Sequence, residues 1–381
     1  MNKTDLKNRE ALAIFQTYGR QDVLLVRGLG ARLWDSDGRE YLDFVAGIAV
    51  NNVGHCHPKV VQAIQSQAER LIHTSNLYYT ENQVLLAEAL KALTGMDRAY
   101  FCNSGAESVE AALKLVRRLT GRSGIVAAER AFHGRTLGAL GATFKSAYRE
   151  PFRPLAEAAF VPYNDIEALK AAVTAQTAAI ILEPVQGEAG VYLADAEYLQ
   201  AARQICDDRK ALLIFDEVQT GFGRTGKWFA KEHSGVMPDI MTLAKALAGG
   251  LPMGAMLAHG SAAEGFSKGD HGSTFAGGPL ISAAALAVIE VIKEERLVER
   301  SAEMGEYLRG KLKALAPREI RGLGLMVGVD LGADCKALVE KALSQGAILN
   351  NTAEHTLRLI PPLVVGRAEI DQVVKIIGDS L

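Results

Sequence analysis

The sequence has few cysteines and almost no net charge, and both facts exclude common protein classes. Its four cysteines are widely spaced and form no CxxC pair: Cys56, Cys102, Cys206 and Cys335. This spacing indicates neither a zinc ribbon nor a disulfide framework, so we expect free thiols in a reducing compartment. The net charge is −2 and there is no basic run, which argues against nucleic acid as the main partner.

Patterns for metal binding and membrane insertion are missing as well. His55 and His57 lack a third and fourth ligand at a recognisable spacing, so we expect no metal site. Glycine, proline or a charged residue interrupts every apolar stretch before it reaches the length of a membrane span. The first ten residues, MNKTDLKNRE, are polar and include acids, unlike a secretory signal or a transit peptide. We therefore expect a cytoplasmic protein.

The sequence does contain a repeated alternation of apolar strands and amphipathic helices. Hydrophobic residues make up 49% of the 381 residues, which is enough for a large core and more than one domain. Strands and helices alternate over residues 99–102, 105–119, 125–128, 178–182, 195–209 and 211–215. This β-α-β order predicts the α/β class, with a mostly parallel sheet covered by helices on both faces.

Changes in this pattern predict three regions. Residues 1–45 combine a short polar helix with short strands and turns, and we interpret them as an N-terminal arm. Residues 46–276 would form the large domain that contains the parallel sheet. At Gly277-Gly278-Pro279 the pattern changes to long helices, followed by a strand over 319–331. Residues 277–381 are therefore predicted to form a smaller α+β domain that packs with the arm.

The segment from 211 to 254 carries the clearest signal for chemistry. An apolar run is expected to form a buried strand ending in Asp216, and ligands of α/β folds bind at such strand ends. Lys245 lies in another apolar segment, where an unpaired cation is costly to bury. A pyridoxal phosphate (PLP) enzyme needs this pair, because the lysine holds the aldehyde as a Schiff base and the acid keeps the ring nitrogen protonated. Taken singly, Lys245 could be salt-bridged and Asp216 could be a helix cap, a turn former or a metal ligand.

The segment after the strand at 99–102 has the features of a phosphate site. Ser104 and Glu107 fit a capping box, in which a hydroxyl and a later glutamate satisfy free amides at the start of a helix. Gly105 allows a ligand to approach the backbone closely, and an exposed helix N-terminus binds anions. Taken alone, the motif is explained more simply by ordinary helix capping. Neither GxGxxG nor GxxxxGK[ST] follows a predicted strand, which argues against a nucleotide-dependent dehydrogenase.

Further polar and aromatic residues stand at predicted strand ends or in apolar segments. Phe132 could stack on a planar ring and Arg135 could bind a carboxylate, although a solvated turn with a core phenylalanine explains them as well. Arg358 lies in an apolar segment and needs an anion, either a substrate carboxylate or a structural acid. Polar residues cluster at 183–188, and Thr274 precedes a helix, where its hydroxyl could reach a phosphate.

In combination these motifs resemble the class III family of PLP-dependent aminotransferases over nearly the whole chain. The resemblance is carried, in the family's order, by residues 52–58, 103–107, 132–136, 183–187, 216–226, Lys245, 272–275 and Arg358. It implies the aspartate aminotransferase-like fold called fold type I, PLP as the cofactor, and a homodimer with each active site at the subunit boundary. A PLP-fold binding protein without activity is the alternative, but it would not need to keep Lys245, Asp216 and both arginines.

The resemblance also implies a role for each cofactor-binding residue. Lys245 would form the Schiff base and move protons, and Asp216 would pair with the ring nitrogen. The other implied contacts are Ser104, Gly105 and Ala106 at the phosphate, Phe132 on the ring, Gln219 at the phenolic oxygen, and Thr274 at the phosphate from the other subunit.

For the substrates, the resemblance implies two arginines and a gate. Arg358 would bind the α-carboxylate of glutamate, and Arg135 would bind that of the longer substrate. Glu188 resembles a gating residue that pairs with Arg358 when the longer substrate is bound. Ser273 completes the expected substrate-binding residues.

Two segments narrow the expected substrate. Residues 44–50 and 73–80 most resemble family members that act on N2-acetylornithine, and Ile48 stands where members that act on free ornithine have Tyr. The implied ping-pong reaction transfers the terminal amino group of N2-acetylornithine to 2-oxoglutarate, giving N-acetylglutamate 5-semialdehyde and glutamate in arginine synthesis. Succinylornithine, N-succinyl-diaminopimelate, ornithine and 4-aminobutyrate stay open as alternatives, because pocket shape decides among them.

Overall fold

The computed structural model describes residues 3–353 and 355–381. Its α-helices are α1 (Lys3–Ala13), α2 (Ala46–Ala49), α3 (Pro58–Ala68), α4 (Glu81–Thr94), α5 (Gly105–Thr120), α6 (Leu137–Gly141), α7 (Ser146–Arg149), α8 (Ile166–Ala172), α9 (Ala196–Arg209), α10 (Lys231–Ser234), α11 (Pro279–Glu294), α12 (Leu297–Leu312), α13 (Cys335–Ser344) and α14 (Arg367–Ser380). Short 3-10 helices span Glu150–Phe152, Lys245–Ala248, Gly260–Glu264 and Lys313–Leu315.

The β-strands are shorter and alternate with these helices. They are β1 (Leu25–Leu29), β2 (Arg32–Asp35), β3 (Glu40–Asp43), β4 (Arg98–Cys102), β5 (Gly124–Ala128), β6 (Ala159–Val161), β7 (Thr177–Leu182), β8 (Val185–Gln186), β9 (Tyr192–Leu193), β10 (Leu212–Asp216), β11 (Ile240–Leu243), β12 (Gly254–Ala258), β13 (Glu319–Leu323), β14 (Met326–Asp330), β15 (Ala347–Ile348), β16 (Asn350–Ala353) and β17 (Thr356–Leu359).

Seven strands form the central sheet, in the order β4-β12-β11-β10-β7-β5-β6. The pairs from β11 to β6 are parallel, whereas β12 runs antiparallel to both of its neighbours. This confirms the predicted α/β fold with a mostly parallel sheet. Strand β12 is outside the predicted pattern, because a short apolar run does not distinguish a strand from a buried helix segment.

Helices cover both faces of this sheet because its strands are apolar on both faces. In β7, Ala179 and Ile181 pack into the core under α5, whereas Ile180 and Leu182 pack into the core under α8 and α9. Successive side chains of a strand point to opposite faces, so a strand covered on both sides reads as a continuous apolar run. All six residues of β7 are buried. Polar side chains such as that of Asp216 lie instead at the carboxyl edge of the sheet.

A second, antiparallel sheet lies in the C-terminal part, in the order β13-β14-β17-β16. The single strand predicted over 319–331 is wrong, because this segment folds into the hairpin of β13 and β14. Gly324 has φ 52°, a left-handed conformation that allows the chain to reverse at little cost. An alternating apolar pattern on both sides of that glycine reads as one strand when the turn is overlooked.

The N-terminal strands pair with the C-terminal part of the chain. Strand β3 lies parallel to β15, so that the first strands and residues 347–348 share one sheet. The predicted division at 45/46 and 276/277 stays a prediction. Among the described residues, no helix is both long enough and apolar enough to span a bilayer.

Candidate active site

The candidate site is a cavity of about 450 Å³ at the carboxyl ends of the parallel strands. Asp216 ends β10, and Glu183 directly follows β7. Carboxyl ends of neighbouring parallel strands share one edge, which is where α/β folds bind ligands. The cavity brings together most of the residues predicted from the sequence: Ser104, Gly105, Ala106, Phe132, Arg135, Glu188, Asp216, Gln219 and Lys245.

Lys245 lies in this cavity, at the first residue of the 3-10 helix that follows β11. Its φ of 40° is in the left-handed region, which is strained for a residue with a Cβ and is often found at functional sites. Burial lowers the pKa of the Lys245 ammonium, and the positive charge of Arg358 lowers it further. A lysine with a lowered pKa is more often neutral, which suits it to react with an aldehyde and to accept protons.

Asp216 is held on both of its carboxylate oxygens. Its Oδ2 lies 2.7 Å from Nδ1 of His133, and its Oδ1 accepts hydrogen bonds from the Thr242 hydroxyl and the Val218 amide, both at 3.1 Å. The side chain is only 5% exposed. These contacts fix the orientation of the carboxylate at the end of β10. In many sites a functional side chain is oriented in this way by the residues that hydrogen-bond to it.

His133 belongs to the site although the sequence pattern did not single it out. Burial lowers the pKa of its imidazole, but the hydrogen bond and charge of Asp216 outweigh this and raise it above the ordinary value. Its Nε2 is buried and has no partner within the described part of the chain. His133 and Asp216 are 83 positions apart, so no spacing rule connects them before the strands are assembled.

Glu183 is a second buried acid at the same edge. Its side chain accepts a hydrogen bond from the Phe132 amide at 2.9 Å, and its carbonyl accepts one from the Tyr163 hydroxyl at 2.7 Å. Burial raises the pKa of Glu183 to about 7, so that the acid is substantially protonated near neutral pH. Its place at the strand end was predicted, but its protonation state depends on burial that the sequence does not give.

The N-terminus of α5 opens into the cavity. The Ser104 hydroxyl accepts a hydrogen bond from the Glu107 amide at 3.2 Å, and the Glu107 carboxylate accepts one from the Asn103 amide at 2.5 Å. The Ser104 half of the predicted capping box is thus present, whereas Glu107 bonds to the amide of Asn103, one residue before the N-cap, and not to that of Ser104. The amides of Gly105 and Ala106 belong to the first turn and have no acceptor inside the helix, so they are available to an anion.

Arg358 lies at the side of the cavity on β17 and is only 1% exposed. Its Nη1 donates to Glu188 Oε1 at 2.5 Å and lies 3.4 Å from Gln219 Oε1, and its Nη2 donates to Asn350 Oδ1 at 2.8 Å. Burial raises the pKa of Glu188, but the charge and hydrogen bond of Arg358 lower it below the ordinary value overall. The predicted pair of Arg358 and Glu188 is present, with Asn350 as a partner that the sequence pattern did not indicate.

Arg135 lies at the mouth of the cavity and is exposed. Its guanidinium carbon is 3.4 Å from the centroid of the Tyr148 ring and 5.7 Å from that of Phe132. An arginine supported by aromatic rings keeps its outer N–H groups free for a carboxylate. The cavity therefore has one arginine, Arg135, in its lining, and a second, Arg358, in contact with the lining residues Glu188 and Gln219.

Ser273 and Thr274 do not line this cavity in the single chain. Both line a second cavity of about 890 Å³, next to Asn76, Leu77 and Tyr100. Ser273 is linked to the first cavity indirectly, because its hydroxyl accepts a hydrogen bond from Asn103 Nδ2 at 2.9 Å. The prediction that Thr274 serves the other subunit's site stays a prediction.

The residues of the first cavity fit PLP, which carries an anionic phosphate, a basic ring nitrogen and an aldehyde. The first turn of α5 suits the phosphate, the carboxylate of Asp216 suits the ring nitrogen, and the amine of Lys245 suits the aldehyde. Gly105 leaves no room for a side chain at this wall, since a Cβ there would lie 2.8 Å from Val218 Cγ1. Lys245, Asp216 and the helix N-terminus face one cavity, so a single molecule can contact all three.

Comparison with known proteins agrees with this geometry. The family model described as aminotransferase class-III matches residues 15–381. The chain is 56% identical to the acetylornithine aminotransferase of Methanosarcina acetivorans over 377 residues, which cover 98% of this chain and 95% of that protein.

Two solved structures are also similar to this chain. An ornithine aminotransferase from Toxoplasma gondii, with partial occupancy of PLP at its active site, is 32% identical with a TM-score of 0.95, covering 100% of this chain and 94% of that one. An acetylornithine aminotransferase from Elizabethkingia anophelis is 33% identical with a TM-score of 0.88, covering 100% of this chain and 99% of that one.

The match extends from residue 15 to the last residue and includes the strand ends, the helix N-terminus and the lysine that form the cavity. The expected cofactor is therefore confirmed as PLP, and the expected fold as the fold of this family. The chain belongs to the class-III aminotransferase family, and it is a PLP-dependent aminotransferase.

Proposed function

We propose that this enzyme transfers the terminal amino group of N2-acetylornithine to 2-oxoglutarate, giving N-acetylglutamate 5-semialdehyde and glutamate. The observation that carries the proposal is the ion pair of Arg358 and Glu188 beside Lys245, with Arg135 free at the mouth. The similarity to acetylornithine aminotransferases at about half identity over almost the whole chain supports the same substrate. The reaction would serve arginine synthesis.

The ion pair suits an enzyme that must accept two different substrates in one cavity. Glutamate carries a carboxylate next to the reacting amine, so it needs a cation deep in the site, and Arg358 would be that cation once Glu188 moves aside. Acetylornithine carries its carboxylate at the far end, so Arg135 at the mouth would bind it. In that case Glu188 neutralises Arg358, which would otherwise be a buried and unpaired charge.

The chain's own groups would carry out the proton movements. PLP supplies an electron-accepting ring when it is bound. Lys245 would hold the aldehyde and then carry a proton between the substrate carbon and the cofactor, because a lowered pKa makes the neutral amine, which can accept a proton, more accessible. Asp216, oriented by His133, would keep the proton on the ring nitrogen. Phe132 would stack on the ring, and Gln219 would donate to its phenolic oxygen.

We also propose that the active form is a homodimer. Large apolar side chains near the second cavity are exposed in the single chain: Leu77, Tyr78, Tyr79 and Phe275. An exposed apolar patch of this kind favours a protein partner. Thr274 lies in the same region and would reach the phosphate bound by the other subunit, with Ser273 beside it. The proposal also includes a large domain of residues 46–276, a small domain of residues 277–381 and a cytoplasmic location.

Free ornithine is the second candidate substrate, because solved ornithine aminotransferases are also similar to this chain. Those structures are about a third identical to the chain, whereas the acetylornithine aminotransferases reach 56%. Ile48 is 42% exposed and stands where the ornithine enzymes were expected to have Tyr. These observations favour the acetylated substrate.

The test is the visible absorption of the purified, PLP-loaded enzyme while amino donors are added one at a time. We expect glutamate and acetylornithine to bleach the yellow band at low concentration, and ornithine and 4-aminobutyrate to bleach it weakly. If a succinylated donor bleaches the band at a far lower concentration than acetylornithine does, the protein is still a class III aminotransferase, but the proposed substrate is wrong. A band that no amino donor bleaches would refute the proposed reaction.

A further inference from the structure

Four residues form one row across the small antiparallel sheet. Arg321 of β13 is opposite Gly328 of β14, Gly328 is opposite Arg358 of β17, and Arg358 is opposite Asn350 of β16. Residues directly opposite each other in antiparallel strands point to the same face. Two arginines therefore flank a glycine on one face of the sheet, and Asn350 ends the row beside Arg358.

The loop that carries Glu188 lies on this row. Residues 187–191 connect β8 to β9, and the carbonyl of Gly190 lies against Gly328. A Cβ at Gly328 would be 2.5 Å from the Gly190 oxygen and 2.9 Å from Val191 Cβ. The loop can approach this closely only because Gly328 has no side chain. Its backbone thus rests on the sheet between the two arginines.

Arg321 holds this loop by its backbone. Its Nε and Nη2 both donate to the Gly190 carbonyl, at 3.1 and 3.0 Å. Its guanidinium carbon is 4.2 Å from the centroid of the Tyr192 ring, and the guanidinium carbon of Arg130 is 4.5 Å from the same ring. Nη1 of Arg321 also pairs with Glu319. The guanidinium is thus enclosed by loop, ring and carboxylate, and it is not placed to bind a substrate.

Arg358 and Arg321 contact the same loop in different ways. Arg358 holds the side chain of Glu188, a contact that a substrate carboxylate can replace. Arg321 holds the main chain two residues later, a contact that no carboxylate replaces. When Glu188 releases Arg358, Gly190 therefore stays in place, and Glu188 needs only a side-chain movement to return.

We infer that Arg321 is a positioning residue that sets how readily Glu188 pairs with Arg358, and so sets the relative rates with the two amino donors. This inference rests on the proposed function, because it assigns the closed pair to acetylornithine and the open pair to glutamate. Loss of the grip on Gly190 would let Glu188 drift from Arg358, which harms the reaction that needs the closed pair. The reaction with glutamate should change little, because glutamate displaces Glu188 from Arg358 whether or not Arg321 holds the loop.

The experiment compares the two half-reactions of the PLP-loaded Arg321→Met enzyme by stopped-flow absorption. We expect kcat/KM with acetylornithine to fall roughly tenfold, as is typical when a supporting contact is lost, and kcat/KM with glutamate to change by less than about twofold. Arg321→Lys keeps one donor toward Gly190. Its ratio of kcat/KM with acetylornithine to kcat/KM with glutamate should therefore lie between those of the unaltered enzyme and of Arg321→Met.

Two control variants remove comparable contacts without touching Gly190. Glu319→Gln removes the ion pair of Arg321 and leaves both of its hydrogen bonds to the loop. Arg309→Met removes another arginine contact to a backbone carbonyl in this part of the chain, 3.2 Å from Gly324 oxygen. Both controls should leave the ratio of the two half-reactions unchanged.

An equal change in both half-reactions of Arg321→Met, or no change in either, would show that Arg321 has only a structural role. If the unaltered enzyme prefers another terminal amine, the proposed substrate is wrong, and the same ratio taken with that amine still tests Arg321. The two failures are therefore distinguishable.

Discussion

At the scale of single residues, the site combines groups whose ionisation is shifted by burial and by each other. Lys245 has a lowered pKa and His133 a raised one, although both side chains are enclosed by the same cavity wall. For Lys245 burial is the main cause and the positive charge of Arg358 adds to it, whereas for His133 the carboxylate of Asp216 at 2.7 Å outweighs burial. Shifts of this kind are typical of catalytic sites.

Lys245→Ala should abolish turnover while the protein stays folded. We expect kcat to fall by about 10⁴-fold or more, because the variant loses both the group that holds the aldehyde and the proton carrier. The measurement is steady-state kcat together with the thermal midpoint. Lys170→Ala, on the exposed side of α8, serves as the control and should change neither. Appreciable turnover by Lys245→Ala would overturn the assignment of this lysine.

Glu183 should make the stability of the enzyme depend on pH. Burial raises its pKa from an ordinary 4.5 to about 7, so the folded state binds this proton more tightly than the unfolded state does. The resulting contribution, roughly 3 kcal/mol, is fully present below about pH 4.5 and is lost as the pH rises through 7. We therefore expect the thermal midpoint to fall between pH 5 and pH 8.

Glu183→Gln should flatten this part of the pH profile, since the amide does not titrate and still accepts a hydrogen bond from the Phe132 amide. Glu69→Gln, at an exposed position after α3, should leave the profile unchanged. A profile that is equally steep in Glu183→Gln would mean that another group causes it.

At the scale of elements, the N-terminus of α5 combines stability with binding. Val109, Ala112 and Val116 bury one side of this helix under the central sheet, while its first turn faces the cavity. The spacing of these apolar residues fixes which side is buried, and Ser104 fixes where the helix begins. The available amides are thus held at the edge where β10 ends.

Ser104→Ala should weaken both the helix cap and the binding of PLP. Loss of the cap should cost about 1 kcal/mol of stability, and loss of a hydrogen bond to a charged phosphate should raise the Kd for PLP roughly tenfold. Asp165→Ala removes the equivalent cap of α8, where the side chain accepts from the Ala168 amide. That control should lose similar stability and keep its affinity for PLP, as measured by denaturant unfolding and PLP titration.

At the scale of the whole molecule, one chain brings most of the site together but keeps Thr274 apart from it. The second cavity and its exposed apolar residues lie where Thr274 does, which favours a neighbouring subunit that covers them. If the proposal is right, each site depends on two chains, and the activity of the enzyme depends on their association.

Hybrid dimers give a direct test of this arrangement. Thr274→Ala and Lys245→Ala are each expected to have low activity. The activity of Thr274→Ala should fall about tenfold, because the variant loses a contact to the phosphate. When the two variants are mixed and allowed to exchange subunits, one site of each hybrid would contain both intact residues. Activity should therefore rise above that of either variant alone. No recovery in verified hybrids would mean that Thr274 does not serve the other subunit's site.

The sequence by itself determined the class of fold and the central chemistry. The apolar runs that form β7 and β10, the acid at the end of β10, the helix cap at Ser104 and the lysine at position 245 are local patterns. Each depends on neighbours within a few positions, because strand burial, helix capping and the cost of a buried cation are local effects. That is why these features could be predicted before the structure was known.

Only the tertiary structure decided how distant groups support one another. The hydrogen bond between His133 and Asp216 and the hydrogen bonds from Arg321 to Gly190 join residues 83 and 131 positions apart. The contact of Asn350 with Arg358 depends on the pairing of β16 with β17, and the protonation of Glu183 depends on its burial. The turn at Gly324, which splits one expected strand into two, also places Arg321 in the same row as Arg358. Such contacts arise from strand order, register and burial, which become defined only when the sheets assemble.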